Sequence, residues 1–153
     1  MSVVVWVPKD SAAVSAGADE IAVGIELIAK ARGLDVTVKR NGSRGALFLE
    51  PLVEVETAAG RVAYGPVEAA DVESLFDAGF LTGGAHRLAH GLTDEIPYLK
   101  NQERLTFARA GLTEAVDHAQ PFSRRRIRVD EHHHAVLSNP QTRSTVSHDD
   151  VVL

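Results

Sequence analysis

Apolar residues run almost unbroken through positions 3–7 and stop at Pro8, the pattern of a strand buried on both faces. From Asp10 or Ser11, either of which can cap a helix, the period changes. Val14, Ala18, Ile21, Ile25 and Ile28 recur at steps of three and four, which predicts one amphipathic helix ended by Gly33. Leu34, Val36 and Val38 then alternate with Asp35, Thr37 and Lys39, predicting a second strand.

A polar turn, Asn41-Gly42-Ser43-Arg44-Gly45, leads into residues 46–49, which are apolar throughout and predict a central strand. Val53 and Val55 alternate with Glu54 and Glu56, and a turn around residues 58–60 returns the chain through 61–64 as a hairpin. Val72, Leu75 and Phe76 mark a shorter helix stopped by Gly79. Residues 80–95 read as a connecting loop. Asp94 is a candidate cap, and Pro97 opens a third helix predicted over 97–110, which carries Tyr98, Leu99, Gln102, Leu105 and Phe107. The order β-α-β-β-β-α predicts an α/β fold, a small sheet flanked by helices of the thioredoxin kind. Three regions are expected: a domain over 1–80, a connector and helix over 81–113, and a tail over 114–153 without sustained period.

Composition narrows the chemistry more than it narrows the fold. At 153 residues the chain suffices for one domain with an appendage. Its net charge of −5 argues against a nucleic-acid partner, whose phosphates demand clustered cations. Without any cysteine there can be no disulfide, no thiolate nucleophile and no all-cysteine metal or iron–sulfur site. The opening residues lack the basic and apolar regions of a secretory signal. No apolar run approaches the ~20 residues that span a bilayer. A cytoplasmic protein without a membrane partner is expected.

Each candidate site also admits a simpler role. The turn at 41–45 could present N–H groups to an anion, but it matches neither phosphate-binding glycine motif and reads as a connection between strands. His132, His133 and His134, with Asp130, Glu131 or His148, could hold a metal. Consecutive residues, however, cannot all face one point. Arg124, Arg125, Arg126 and Arg128 form a basic cluster answered at once by Asp130 and Glu131. His86 and His90 have helical metal-ligand spacing without the glutamate of a His-Glu-x-x-His site. Ser11, Ser43 and Ser74 lack the Gly-x-Ser-x-Gly context of an activated nucleophile. No residue is assigned a catalytic, cofactor-binding or metal-binding role.

The run "RNGSRGALFLEPLVEVETAAGRVAYGPVEAADVESLF", with "VPKDSAAVSAGADEIA" before it and "IPYLKNQERLTFARAGLT" after it, resembles a known family over about residues 2–113. That family is the N-terminal thioredoxin-like domain of the flavoprotein (beta) subunit of soluble NAD-dependent molybdenum formate dehydrogenases. It is akin to the NADH-binding subunit of complex I-type NADH dehydrogenase. The domain is similar to the thioredoxin-like [2Fe–2S] ferredoxin that forms a small subunit of such complexes. Aligned on Gly17 and Pro51, that ferredoxin's four cysteine ligands fall at Pro8, Ala13, Ser43 and Leu47. The resemblance thus implies a degenerate ferredoxin fold, with Leu47 filling the cluster's volume as core.

The parent subunit would carry FMN, NAD and a [4Fe–4S] cluster in parts not found here, so this chain is expected to lack redox cofactors of its own and to be a fragment of the subunit. Its implied partners are the flavin/NADH-binding domain and the small [2Fe–2S] ferredoxin subunit, within an electron-transfer complex that it docks and orients without catalysing. A free-standing interaction or assembly module, and a metal- or nucleic-acid-binding role for the tail, stay open as alternatives. Tyr98, Leu99 and Phe107 are expected to be partly exposed where the flavin domain would sit.

Overall fold

The computed structural model describes residues 2–104 and 109–114, together with the strand segments 127–129 and 135–137. Residues 1–117 and 118–153 form two separate units. In the first, β1 (Val3–Pro8) and β2 (Val36–Asn41) run parallel, joined by α1 (Ser11–Ser15) and α2 (Ala18–Ala31). A hairpin of β3 (Val53–Thr57) and β4 (Gly60–Tyr64) adds antiparallel to β1, and β5 (Ala89–Leu92) pairs with β4. The five-stranded order β2-β1-β3-β4-β5, with one parallel pair, is thioredoxin-like. Helix α3 (Val72–Asp77) follows the hairpin, and α4 (Pro97–Lys100) follows β5. In the second unit β6 (Ile127–Val129) and β7 (Ala135–Leu137) form an antiparallel pair.

Period-2 alternation divides the sheet into two chemically different faces. Val5, Val7, Val53, Val55 and Tyr64 lie on one face, sealed by Ala18, Ile21 and Ile25 of α2 and by Val72, Leu75 and Phe76 of α3. Fully burying side chains of this size contributes about 1.5–3 kcal/mol each. Trp6, Lys39, Glu54, Glu56, Arg61 and Ala63 follow the alternate register and form the other face. Over one part of it lies a smaller apolar cluster of Ala46, Leu49, Leu52, Ala63 and Ile96, with Leu99 packed against it.

Several elements differ from the sequence-based expectations. The first helix is two helices. Gly17 sits at φ +97, which breaks the axis and changes its phase, so Ala13 is buried while Val14 is 36% exposed. Asp10 is the cap, its Oδ1 accepting from the N–H groups of Ala12 and Ala13 at 3.1 and 3.3 Å. Residues 46–49 are not a central strand. They form a loop and a 3-10 turn over Leu47–Leu49, because Pro51 cannot donate to a ladder and β3 already occupies the free side of β1. Within the predicted loop 80–95 the chain contributes β5, and Asp94 is an exposed member of a 3-10 turn rather than the cap of α4. The helix predicted over 97–110 is confined among the described residues to one turn, Pro97–Lys100, with Pro97 at its first position as expected. Among the described residues no helix is long and apolar enough to cross a membrane.

Candidate functional site

The four positions that the resemblance assigns to cluster ligands are placed very differently from one another. Pro8 ends β1 and is buried, and Ala13 lies in the main core. Ser43 donates its hydroxyl to Glu50 Oε1 at 2.7 Å and accepts from the Gly45 N–H at 2.9 Å. Leu47 does not fill a core volume: it is 64% exposed, and so is its neighbour Phe48. The 3-10 turn directs Leu49 inward and leaves these two outside. Three carbon-only side chains and one engaged hydroxyl do not fit an iron–sulfur cluster, which needs four ligands, normally thiolates.

What the turn at 41–45 does instead is bind the domain to itself. Arg44 points inward and pairs with Glu54 at 2.7 Å, and Asn41 donates its amide to Glu54 Oε2 at 3.2 Å. Arg61 completes the cluster, 3.5 Å from Glu54 and 3.6 Å from Glu56. Its guanidinium stacks 4.0 Å from the ring of Trp6, whose indole N–H donates to Glu56 at 2.8 Å. Glu54 is 0% exposed. Burial draws the Arg61 guanidinium below its usual range, and the adjacent Glu54 carboxylate opposes that shift. The Val-Glu-Val-Glu alternation places Glu54 and Glu56 on one face, but it does not tell that Glu54 is buried and Glu56 exposed. The available hint was Trp6, directly opposite Glu54 in the sheet register.

A second carboxylate sits at the loop's far end. Glu50 accepts from Ser43 and, through Oε2, from the Leu52 N–H at 3.0 Å. Burial pushes its carboxyl above the ordinary range, helped by the charges of Asp10 and Glu54 and opposed by its two hydrogen bonds. A raised carboxyl favours the fold while it is protonated, so its contribution is complete in acid and is lost as pH rises through the raised value. Glu50→Gln is therefore expected to remove one component of the stability lost between about pH 4, below the ordinary glutamate value, and about pH 7. Urea unfolding of both proteins at the two pH values tests this, and an unchanged difference between them would contradict it.

His86, His90 and Ser74 are tied into the fold by hydrogen bonds. His86 and His90 share no helix: His86 precedes β5 and His90 lies within it. His86 Nδ1 accepts from the Leu88 N–H at 3.3 Å, so its Nε2 carries the proton toward Ser74 Oγ, 3.1 Å away. Ser74 in turn donates to the Asp71 carbonyl at 2.8 Å. That polarity is the reverse of a base activating a nucleophile. His90 Nε2 bonds the Gly65 carbonyl at 2.8 Å. Among the described residues no three His, Asp or Glu side chains converge on a point that could hold a metal. Residues 124–126, 130–134 and 148 lie outside the described residues, and Arg128 falls in β6.

Two of the exposed apolar side chains meet across the loop and the connector. Phe48 meets Tyr98 of α4 edge to face, with centroids 5.4 Å apart, and Tyr98 is 48% exposed. Leu99 is half-buried beneath it, and Phe107 lies outside the described residues. Loop and connector thus share one surface, which local sequence could not reveal because the two halves are about fifty residues apart.

No protein-family profile matches the chain, and no curated protein sequence matches it. Among solved structures it is similar to the thioredoxin-like [2Fe–2S] ferredoxin from Aquifex aeolicus. Identity is 20% and the TM-score 0.49, over 59% of this chain and 97% of that one. Two variants of that ferredoxin, each with one cysteine replaced by serine, match at 20% and 23% identity over 58% of this chain and 98% of theirs. Their TM-scores are 0.49 and 0.48. These are likenesses of chain path only.

Proposed function

We propose that this chain is a docking domain of an NAD-linked electron-transfer complex, of the kind formed by NADH dehydrogenase and formate dehydrogenase beta-type subunits. In this reading it carries no electrons itself. Flavin, NAD and iron–sulfur clusters belong to its partners, the flavin/NADH-binding domain and the small [2Fe–2S] ferredoxin subunit. The observation that carries the reading is the loop at 43–50. Where ligands would be expected it holds no usable set, and it turns Leu47 and Phe48 outward, with Phe48 against Tyr98.

The occupant of that patch is the flavin-binding domain, because Tyr98 belongs to the connector that, by resemblance, runs toward it. Aromatic anchors at the centre of an interface cost about 2 kcal/mol or more when truncated. Replacing Phe48 and Tyr98 together by Ser is expected to weaken binding to an isolated flavin/NADH-binding domain about 30-fold. Calorimetric titration reads this directly. Equal affinity of the two proteins, or a stoichiometric cluster after incubation of this chain with iron and sulfide, would refute the reading.

A further inference from the structure

The polar face of the sheet holds a stretch of main chain. Asn41 donates its amide to the Gly111 carbonyl at 2.8 Å, and Arg61 donates to the same carbonyl at 3.1 Å and to the Leu112 carbonyl at 3.0 Å. Glu114 bridges Asn41 through the backbone and lies 3.7 Å from the Lys39 ammonium. Upstream, the Arg104 guanidinium donates to the Arg44 carbonyl. Apolar packing does not explain this hold. Gly111 is buried, but Leu112 turns its side chain outward and is 42% exposed.

The charged cluster makes sense only with that segment in place. A buried carboxylate between two guanidiniums contributes less stability than apolar residues of the same volume often would. Apolar residues, though, could not grip carbonyls. Glu54 keeps Arg44 and Arg61 oriented, and Arg61 offers the planar fork that reaches two successive carbonyls at once. Gly111 is shaped for the fit: its φ is +76, and a Cβ there would lie 2.5 Å from Arg44 Cδ.

We propose that residues 109–114 form a strap, clamped by its backbone onto the Asn41–Arg44–Glu54–Arg61 socket. The strap fixes the path of the connector and so presents Tyr98 in a set position beside Phe48. The strap's role in presentation rests on the docking reading above, but its existence does not. Arg61 is a positioning residue in this arrangement, as is Asn41. With Ile96, Arg104 and Gly111 each held against the domain, the described parts of the connector lose little further freedom on binding, which spares ordering cost.

Trypsin provides the test, because Arg109 is exposed just before the clamped carbonyls. Cleavage of a native chain follows the population of locally opened molecules. The full chain is digested briefly, and mass spectrometry follows the product ending at Arg109 against products ending at Arg40 in β2. Two variants open the strap from opposite sides. Arg61→Lys keeps the charge but loses the fork, and Gly111→Ala pushes against Arg44 from the strap itself. Each is expected to speed cleavage after Arg109 at least tenfold while cleavage after Arg40 stays slow. The strap is overturned by wild-type cleavage after Arg109 as fast as in the variants, or by variants as slow as wild type. A parallel rise after Arg40, or loss of fold in Gly111→Ala, would also overturn it, since either makes the segment ordinary core. No partner protein enters this assay, so its outcome is independent of the docking titration.

Discussion

Glu54→Gln is expected to destabilise the domain by about 3–5 kcal/mol, the cost of stranding buried charge when one partner of a buried ion pair is removed. Glu54 is wholly enclosed, with Arg44 at 2.7 Å, Arg61 at 3.5 Å and the Asn41 amide at 3.2 Å. A glutamine of the same shape can still accept one of these bonds, but it leaves two guanidiniums without their shared counterion. The Asn41 Oδ1, buried without a hydrogen-bond partner among the described residues, is a neutral acceptor and cannot replace the lost counter-charge. Urea unfolding followed by the fluorescence of Trp6, the only tryptophan, reports on this site directly, since Arg61 lies over its ring. The midpoint should fall with little change in slope. The paired change Arg44→Met with Glu54→Leu should lose less than Glu54→Gln alone, because it removes charge of both signs together. A loss below about 1 kcal/mol in Glu54→Gln would mean that the cluster is solvated, and with it the strap's socket.

The second large effect belongs to the opposite face. Phe80→Ala is expected to cost about 3–5 kcal/mol through lost burial and the cavity left behind. Phe80 is 0% exposed and stacks edge to face on Phe76 at 4.9 Å and on Tyr64 at 5.9 Å. Tyr64 in turn donates its hydroxyl to the Gly84 carbonyl at 2.8 Å. This trio closes the end of the core where α3 gives way to the 3-10 turn Phe80–Thr82 and the path toward β5. Phe80→Leu, nearer in volume, should lose under about 1.5 kcal/mol. Neither change touches Phe48 or Tyr98, so the affinity of the folded fraction for a flavin-binding domain should be unchanged. A Phe80→Ala protein with wild-type stability would show that the 80–95 segment is not part of the cooperative unit.

Much of the scaffold was legible because its signals are local. An unbroken apolar run marks β1, alternation marks β2 and the β3–β4 hairpin, and the stripe Ala18-Ile21-Ile25 marks the inner face of α2. Of the two candidate caps, Asp10 and Ser11, the structure uses Asp10, and Pro97 opens α4 where expected. Two of the differences share one cause. The apolar content of residues 46–49 and 89–92 is a local signal, whereas whether a short run becomes a strand depends on an open partner edge. β4 had such an edge for the unpatterned Ala89–Leu92, whereas β1 had none left for residues 46–49.

The sequence by itself determined the order of the main elements and the lack of any thiolate, since periodicity and residue chemistry need no knowledge of distant neighbours. Only the tertiary structure decided which polar residues are enclosed and which apolar ones face solvent. Glu54 and Glu56 alternate identically with valines. Yet Glu54 is sealed beneath Arg44, Asn41 and Gly111, while Glu56 reaches the surface beside Trp6. Leu47 and Phe48 read as core and stand outside, Phe48 against a tyrosine about fifty residues later in the chain. Burial is a property of non-local packing, and a pattern of period two or 3.6 reports only which residues share a face, not what covers it.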